Sequence, residues 1–433
     1  MPHPDHPGHP SRRLALHRLG AAPLAFGLGG GLLPGLGHAA TSAAPGNDGR
    51  ILVVMELSGA NDGLNTVVPH GDDAYYRLRP RLAIPKGRVR RLDDHWGLNP
   101  GLSGLERLYK EGQLAIVHGL GYEQPSFSHF SSMAYWHTAA PNRGDEYGWL
   151  GRLADQLQPQ ARPGFIVDIE ATQSLAVRSA RHTPLVFDQP ERFNRNGYSG
   201  ERELLDQLVD ASPSPSPSAS STAAAQADAA LQGNRAWLAD VARSARDSSS
   251  QVREAWARYR TPVDYGIYGV HLDKVAAMIA AGLPARVYHV AYGNNAFDTH
   301  VQQADQHQRL LTYVSDAISA FQRDLQRIGR AQDVLLLVYS EFGRRAGENA
   351  NQGSDHGTAN VGFLVGPGVK GGHHGTPPDL ARLAPDGNLV HTADFRRFYA
   401  TALQGWMGRM DDAALSQAVL KGRFEPFGAL AGA

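Results

Sequence analysis

Short apolar runs recur along this chain at spacings that suit a layered α/β domain. Ile51 to Leu57, Leu114 to His118, Gly164 to Ile169, Val287 to Tyr292, Val334 to Tyr339 and Val361 to Val365 each have the length of one strand. The run Val-Leu-Leu-Leu-Val-Tyr from Val334 has no polar alternation, the pattern of a strand buried on both faces. Between the runs, apolar residues return every three or four positions. Leu311, Val314, Ile318, Phe321, Leu325 and Ile328 make one long amphipathic helix. Shorter helices are predicted over Leu102 to Tyr109, Trp149 to Leu157 and Lys274 to Ala281, and a surface helix over Arg235 to Tyr259. A last one is expected from Ala393 to Met407, capped by Thr392. Strands alternating with helices predict an α/β fold, a mostly parallel central sheet with helices on both faces.

The loops that leave these strands carry the chemistry. One brings Asn61 and Asp62, a second Ser128-His129, a third Asp298 and His300, and a fourth Glu341 with Arg344 and then Asp355-His356. Ligands of open α/β sheets bind outside the carboxyl ends of the strands, where these loops should lie. Carboxylates and imidazoles converging there suit a divalent cation such as zinc or manganese. A hydroxyl beside such a cation can be activated as a nucleophile. Plainer roles exist for each member. Asp62 before Gly63 also fits a turn, Asp298 a helix N-cap, Ser128 a turn hydroxyl, and Glu341 a salt bridge to Arg344. Neither packing nor capping calls for Asp355-His356 between glycines. His373 and His374 follow Gly371-Gly372 and read as surface loop.

Composition narrows the class. With 42 Lys+Arg against 42 Asp+Glu, nothing points to nucleic acid or an acidic partner. The absence of cysteine excludes disulfides, thiolate metal sites and cysteine nucleophiles. Arg12-Arg13 precede a weakly apolar, Gly-rich stretch from Leu19 to Leu36, with small residues at Ala39, Ala40 and Ala43. That layout predicts a twin-arginine signal peptide over residues 1–43, with the twin-arginine translocase as partner during export to the periplasm or beyond. A membrane anchor is the alternative, though the glycines make a poor span. No other segment is long and apolar enough to cross a membrane. Residues 44–433 would form one domain, interrupted near 211–228 by a Ser/Pro/Ala tract too polar to build a core.

Several motifs stand in the order seen in a family of exported bacterial proteins. They are Leu57-Ser-Gly-Ala-Asn-Asp-Gly-Leu-Asn-Thr-Val-Val-Pro69, Ser128-His129-Phe130, Phe297-Asp-Thr-His300, Ser340-Glu-Phe-Gly-Arg344 and Gly353-Ser-Asp-His-Gly357. On these the chain resembles the "domain of unknown function 1501" proteins, grouped with the alkaline phosphatase and sulfatase superfamily. The resemblance implies an alkaline phosphatase-like fold and an exported hydrolase of phosphate, or less readily sulfate, esters. It implies divalent-metal ligands at Asp62, Asp298, His300, Glu341, Asp355 and His356. The metal could be zinc, manganese, magnesium or calcium. Ser128, or Ser126, would be the nucleophile, and Arg344 and Asn61 would steady the anion. The first pair is spaced Asp-x-His here, and no sulfatase signature surrounds Ser128. The competing readings are a non-catalytic periplasmic protein that binds a ligand or partner, and a Ser-His-Asp esterase, for which no Gly-x-Ser-x-Gly elbow exists at Ser126 or Ser128.

Overall fold

In the computed structural model, residues 49–193, 247–408 and 413–431 are described. The expected signal peptide and the Ser/Pro/Ala tract lie outside them. Among the described residues, nine strands form the main sheet. In chain order they are β1 (Ile51–Leu57), β2 (Leu114–Gly121), β3 (Ile166–Ile169), β4 (Leu185–Val186), β5 (Val287–Tyr292), β6 (Val334–Tyr339), β7 (Asn360–Val365), β8 (Gly372–His374) and β9 (Ala393–Asp394). The spatial order is β8-β2-β7-β6-β1-β5-β3-β4, with β9 also pairing β2. Only β7 runs antiparallel to its neighbours, so the sheet is mostly parallel.

Both faces of the sheet are covered, which is why its central strands lack polar alternation. On one face Val53, Met55, Tyr288, Val290, Leu336 and Val338 pack under α1 (Ser103–Lys110), α4 (Leu272–Ala280), α5 (Gln303–Arg327) and the helical residues 247–258. On the other, Leu52, Val54, Leu335 and Leu337 meet α2 (His129–Thr138), α3 (Trp149–Leu157), α6 (Phe395–Ala402) and α7 (Ala413–Leu420). Trp136 of α2 stacks on Tyr339 at 5.1 Å and on Phe395 at 4.2 Å, which locks α2 to the sheet. Truncating such a buried aromatic costs about 3–5 kcal/mol.

The described residues belong to one compact unit, Asn47–Ala433. One helix boundary differs from expectation. Ala393–Asp394 pair with Leu120 and Gly121 as β9, and α6 is capped by Asp394, whose carboxylate accepts from Arg396 N–H at 2.8 Å, not by Thr392. Leu403–Met407 continue as a π-helix.

Candidate metal centre

β1, β5 and β6 are adjacent and parallel, so their carboxyl ends open on one edge of the sheet. From that edge emerge Ser58–Asp62, Gly293–His300 and Ser340–Arg344. The first two loops press together because Gly59 has φ of +111° and no side chain. A Cβ there would lie 2.5 Å from Asp298 N and 2.7 Å from the Asn295 carbonyl. The fourth loop returns as a short antiparallel pair, Arg344 opposite His356. Hydrogen bonds from Gln302 N–H to the Asn351 carbonyl (2.9 Å) and from Gln303 N–H to the Gln352 carbonyl (3.0 Å) fasten this loop to the start of α5.

Three imidazoles meet at this edge. His356 Nε2 lies 3.1 Å from His129 Nε2, 2.9 Å from His300 Nε2 and 3.0 Å from Asp298 Oδ1. His300 Nε2 is 2.9 Å from Asp298 Oδ1, and His129 Nε2 is 3.4 Å from Asp298 Oδ2. The tautomers follow from the other ring nitrogen. His356 Nδ1 sits 2.8 Å from the Phe127 carbonyl, which can only accept, so that nitrogen carries the proton. His129 Nδ1 donates to Glu341 Oε1 at 2.7 Å and His300 Nδ1 to Asp355 Oδ1 at 3.3 Å. In the neutral form His129 and His356 each turn an Nε2 lone pair toward Asp298, and one ligand atom from each of these three residues lies within 4.8 Å of the others, with His300 bordering the group through His356 and Asp298. Lone pairs cannot hydrogen-bond one another, but they can share a cation. At bonds of about 2.0–2.1 Å in tetrahedral array, ligand atoms stand roughly 3.3–3.4 Å apart, close to the separations here. Two imidazoles and one carboxylate, His129, His356 and Asp298, each imidazole held through its far nitrogen, are a donor set that fits zinc, and His300 stands beside them.

The electrostatics favour the binding forms of Asp298 and His356 and oppose that of His129. Partial burial opposes ionisation of Asp298, but the hydrogen bond and the charge of Arg344 outweigh it and hold the carboxyl below its ordinary range. Burial lowers His356 and favours its neutral ring, whereas the hydrogen bond to Glu341 raises His129. Phe342 lies 4.9 Å from both the His129 and His356 rings and shields their inner side.

The other residues singled out in the sequence take different places. Glu341 is fully buried behind His129. Its Oε1 also accepts from Gly59 N–H at 2.8 Å, so it orients a ligand in place of being one. Asp355 likewise stands behind His300, braced by Asn349 at 3.0 Å. Asp298 does not cap α5, which begins at Gln303. Arg344 is buried, and its guanidinium donates to the carbonyls of Ala60, Ser354, Gly59 and Phe297 and to Asp298 Oδ1. Those bonds hold Asp298 in place and use the donors an anion would need, a correction to the anion-gripping role. Asp62 is not among the gathered ligands. Its carboxylate is bound by Arg79 at 2.6 Å, by Gln303 and by Asn65 N–H at 3.3 Å. Asn61 accepts from His307 at 2.9 Å and Thr66 at 3.0 Å. Ser128 is the N-cap of α2 and accepts weakly from Ser131 N–H at 3.5 Å. Ser126 Oγ accepts from Ser128 N–H at 3.3 Å. From this loop it is His129, adjacent to Ser128, that enters the cluster. The only signal for it in the sequence is an imidazole at the first turn of a helix following a strand.

The profile of one family matches residues 50–414, most of the chain. The chain belongs to the DUF1501 family. That family is described as proteins of unknown function, so membership fixes relationship without assigning chemistry. No curated protein matches the chain. Solved structures similar to this DUF1501 protein include the C-terminal periplasmic domain of EcEptC from Escherichia coli in complex with zinc. The identity is 10% and the TM-score 0.34, covering 74% of this chain and 73% of that one. The PsFucS1 sulfatase from Pseudoalteromonas sp. shows 14% identity and a TM-score of 0.36 over 87% and 70% of the two chains. The lipoteichoic acid synthase LtaP from Listeria monocytogenes shows 10% and 0.33 over 76% and 68%. Likenesses this distant carry nothing about chemistry here.

Proposed function

We propose that this DUF1501 protein is an exported, divalent-cation-dependent hydrolase of phosphate esters, with sulfate esters the less favoured substrate. The observation that carries the reading is the gathering of His129 Nε2 and His356 Nε2 at Asp298, with His300 Nε2 beside them. His129, Asp298, His300 and His356 would hold the cation. When bound, it would supply Lewis-acid polarisation of an ester oxygen and activation of a nearby hydroxyl. Glu341, Asp355 and the Phe127 carbonyl keep the three rings in one tautomer, and Arg344 keeps Asp298 ionised and oriented. Ser128 is the proposed nucleophile, at the N-terminus of α2, where the helix favours developing negative charge. Exposed Phe127 and Phe130 flank this turn and could receive the organic part of an ester. The twin-arginine signal remains the proposed export route. Among the described residues, no helix is long and apolar enough to cross a membrane.

A second reading is a cation-dependent binding protein without turnover. It is favoured by the Ser128 hydroxyl, whose bond is to its own helix and not to a base. Turnover of p-nitrophenyl phosphate and p-nitrophenyl sulfate should be assayed with zinc, manganese, magnesium and calcium. Phosphate release that depends on the cation and is abolished in His356→Ala supports the hydrolase. Ser128→Ala should then retain metal and lose turnover, whereas undiminished turnover would remove Ser128 from the mechanism. Cation binding without turnover of either ester would leave the binding protein.

A further inference from the structure

We propose that Glu56, His137 and His289 form a second, structural cation site inside the core, beneath α2. It is separate from the centre at the strand ends and stands whether or not that centre is catalytic. Glu56 of β1, His289 of β5 and Asp168 of β3 all point to the face of the sheet that carries α2. They occupy the same alternating positions as Leu52, Val54 and Ile166. His137 comes down on them from the last turn of α2. One ligand atom from each of Glu56, His137 and His289 lies within 4.8 Å of the others.

The unpaired atom at the centre is what points to a ligand. His289 is 1% exposed and donates its Nδ1 proton to Asp168 Oδ1 at 2.8 Å. Its Nε2, with or without a proton, is buried with no hydrogen-bond partner. That nitrogen faces Glu56 Oε2 at 3.9 Å, too far for a hydrogen bond. Two ligands on one zinc, at bonds of about 2.0–2.2 Å, can stand up to roughly 4.2 Å apart, so one cation could bridge this gap. A carboxylate bonded to the far nitrogen of a ligating imidazole is the usual support in such sites, and Asp168 occupies that position.

The charge of the pocket agrees. Glu56, Asp168 and Glu170 gather round two imidazoles. Among the described residues, no arginine or lysine forms an ion pair with any of the three carboxylates. His137 Nε2 lies 2.6 Å from Glu56 Oε2, and Tyr339 donates to the same oxygen at 3.1 Å. On metal binding, His137 would release to solvent the proton it now shares with Glu56 and coordinate through the same nitrogen. A cation here would tie α2, which presents His129 at its first turn, to β1 and β5, whose carboxyl ends supply the loops holding Gly59 and Asp298. The inner site would thus set the geometry of the outer one.

The test is zinc stoichiometry on the purified full chain, stripped with chelator and titrated with zinc chloride alone. Wild type is expected to take two equivalents. The double variant His300→Ala/His356→Ala, which removes the outer site, should keep one equivalent and still gain thermal stability on zinc addition. His289→Asn keeps a donor toward Asp168 but has no Nε2, and should lose the inner equivalent only. A wild type that takes one equivalent, all of it lost in the outer-site double variant, overturns the proposal. So does a His289→Asn protein that still binds two. If His289→Asn does not fold, the comparison of wild type with the outer-site variant decides alone.

Discussion

Replacing Glu341 by glutamine separates orientation from ligation. In the native chain Oε1 accepts from Gly59 N–H at 2.8 Å and from His129 Nδ1–H at 2.7 Å, and Oε2 faces the Ser340 hydroxyl at 2.9 Å. Glutamine has the same shape, and its carbonyl oxygen can receive both N–H groups. Its NH2 can donate to Ser340 Oγ, whose own proton already has the Leu57 carbonyl at 2.6 Å. The number of hydrogen bonds survives, so the metal-free variant should lose only about 1 kcal/mol of folding stability. The charge behind His129 does not survive. Bonds to ionised acceptors are roughly twice as strong as neutral ones, and loss of such a partner weakens metal binding by about 10–100-fold, or roughly 1.4–2.8 kcal/mol. Zinc affinity would be read by competition with a chromophoric chelator, and metal-free stability by urea unfolding in excess chelator. A Kd raised 10–100-fold with near-native stability is expected. An unchanged Kd would refute the role given to Glu341, and a loss of several kcal/mol without metal would make it a purely structural residue.

Arg79→Met should cost about 3–5 kcal/mol in urea unfolding, because it strands Asp62 without its 2.6 Å partner in a site where both side chains are at most 1% exposed; a change under about 1 kcal/mol would mean water reaches the pair. Gly59→Ala places a methyl against Asp298 N at φ +111° and should both destabilise the fold by more than about 1 kcal/mol and weaken zinc binding; native affinity would show that the turn does not position Asp298. Burial pushes His307 down to about 4, so the folded chain keeps it neutral while the unfolded chain takes up a proton near pH 6.5. Its contribution is complete above that pH and is lost as pH falls from there toward about 4, by roughly 1.4 kcal/mol per unit. His307→Gln should therefore gain on wild type by that slope between pH 6 and 5, and parallel stability curves would contradict it.

The strands were legible because both faces of the sheet are covered. Buried on both sides, β1, β5 and β6 appear in the sequence as runs with no partner-dependent pattern. Helix α5 was legible from one apolar stripe. The strand-end loops were also legible, since an Asp or His in a glycine-rich turn after a buried strand has little to pack against. What each loop side chain faces was not. Ser128 and His129 are consecutive, yet a helix turns by about 100° per residue, so one caps the helix while the other enters the cluster. Glu341 and Asp355 carry ligand-type oxygens, but the imidazoles bonded to them stand between them and the point of convergence. Asp62 was claimed by Arg79, seventeen residues later in sequence and on another element. Such pairings depend on how loops from separate strands meet, which no local spacing encodes. The inner cluster shows the same limit. Glu56, Asp168 and His289 each look like an isolated polar residue in a strand, and they come together only once β3, β5 and β1 are known to be neighbours.

The outer centre itself is tested most directly by anomalous diffraction at the zinc absorption edge, from crystals of the full chain grown with zinc. An anomalous peak is expected within about 2.0–2.2 Å of Nε2 of His129, His300 and His356 and of a carboxylate oxygen of Asp298. No peak at that point, with the three rings instead paired by hydrogen bonds to one another or to Asp298, would contradict the site.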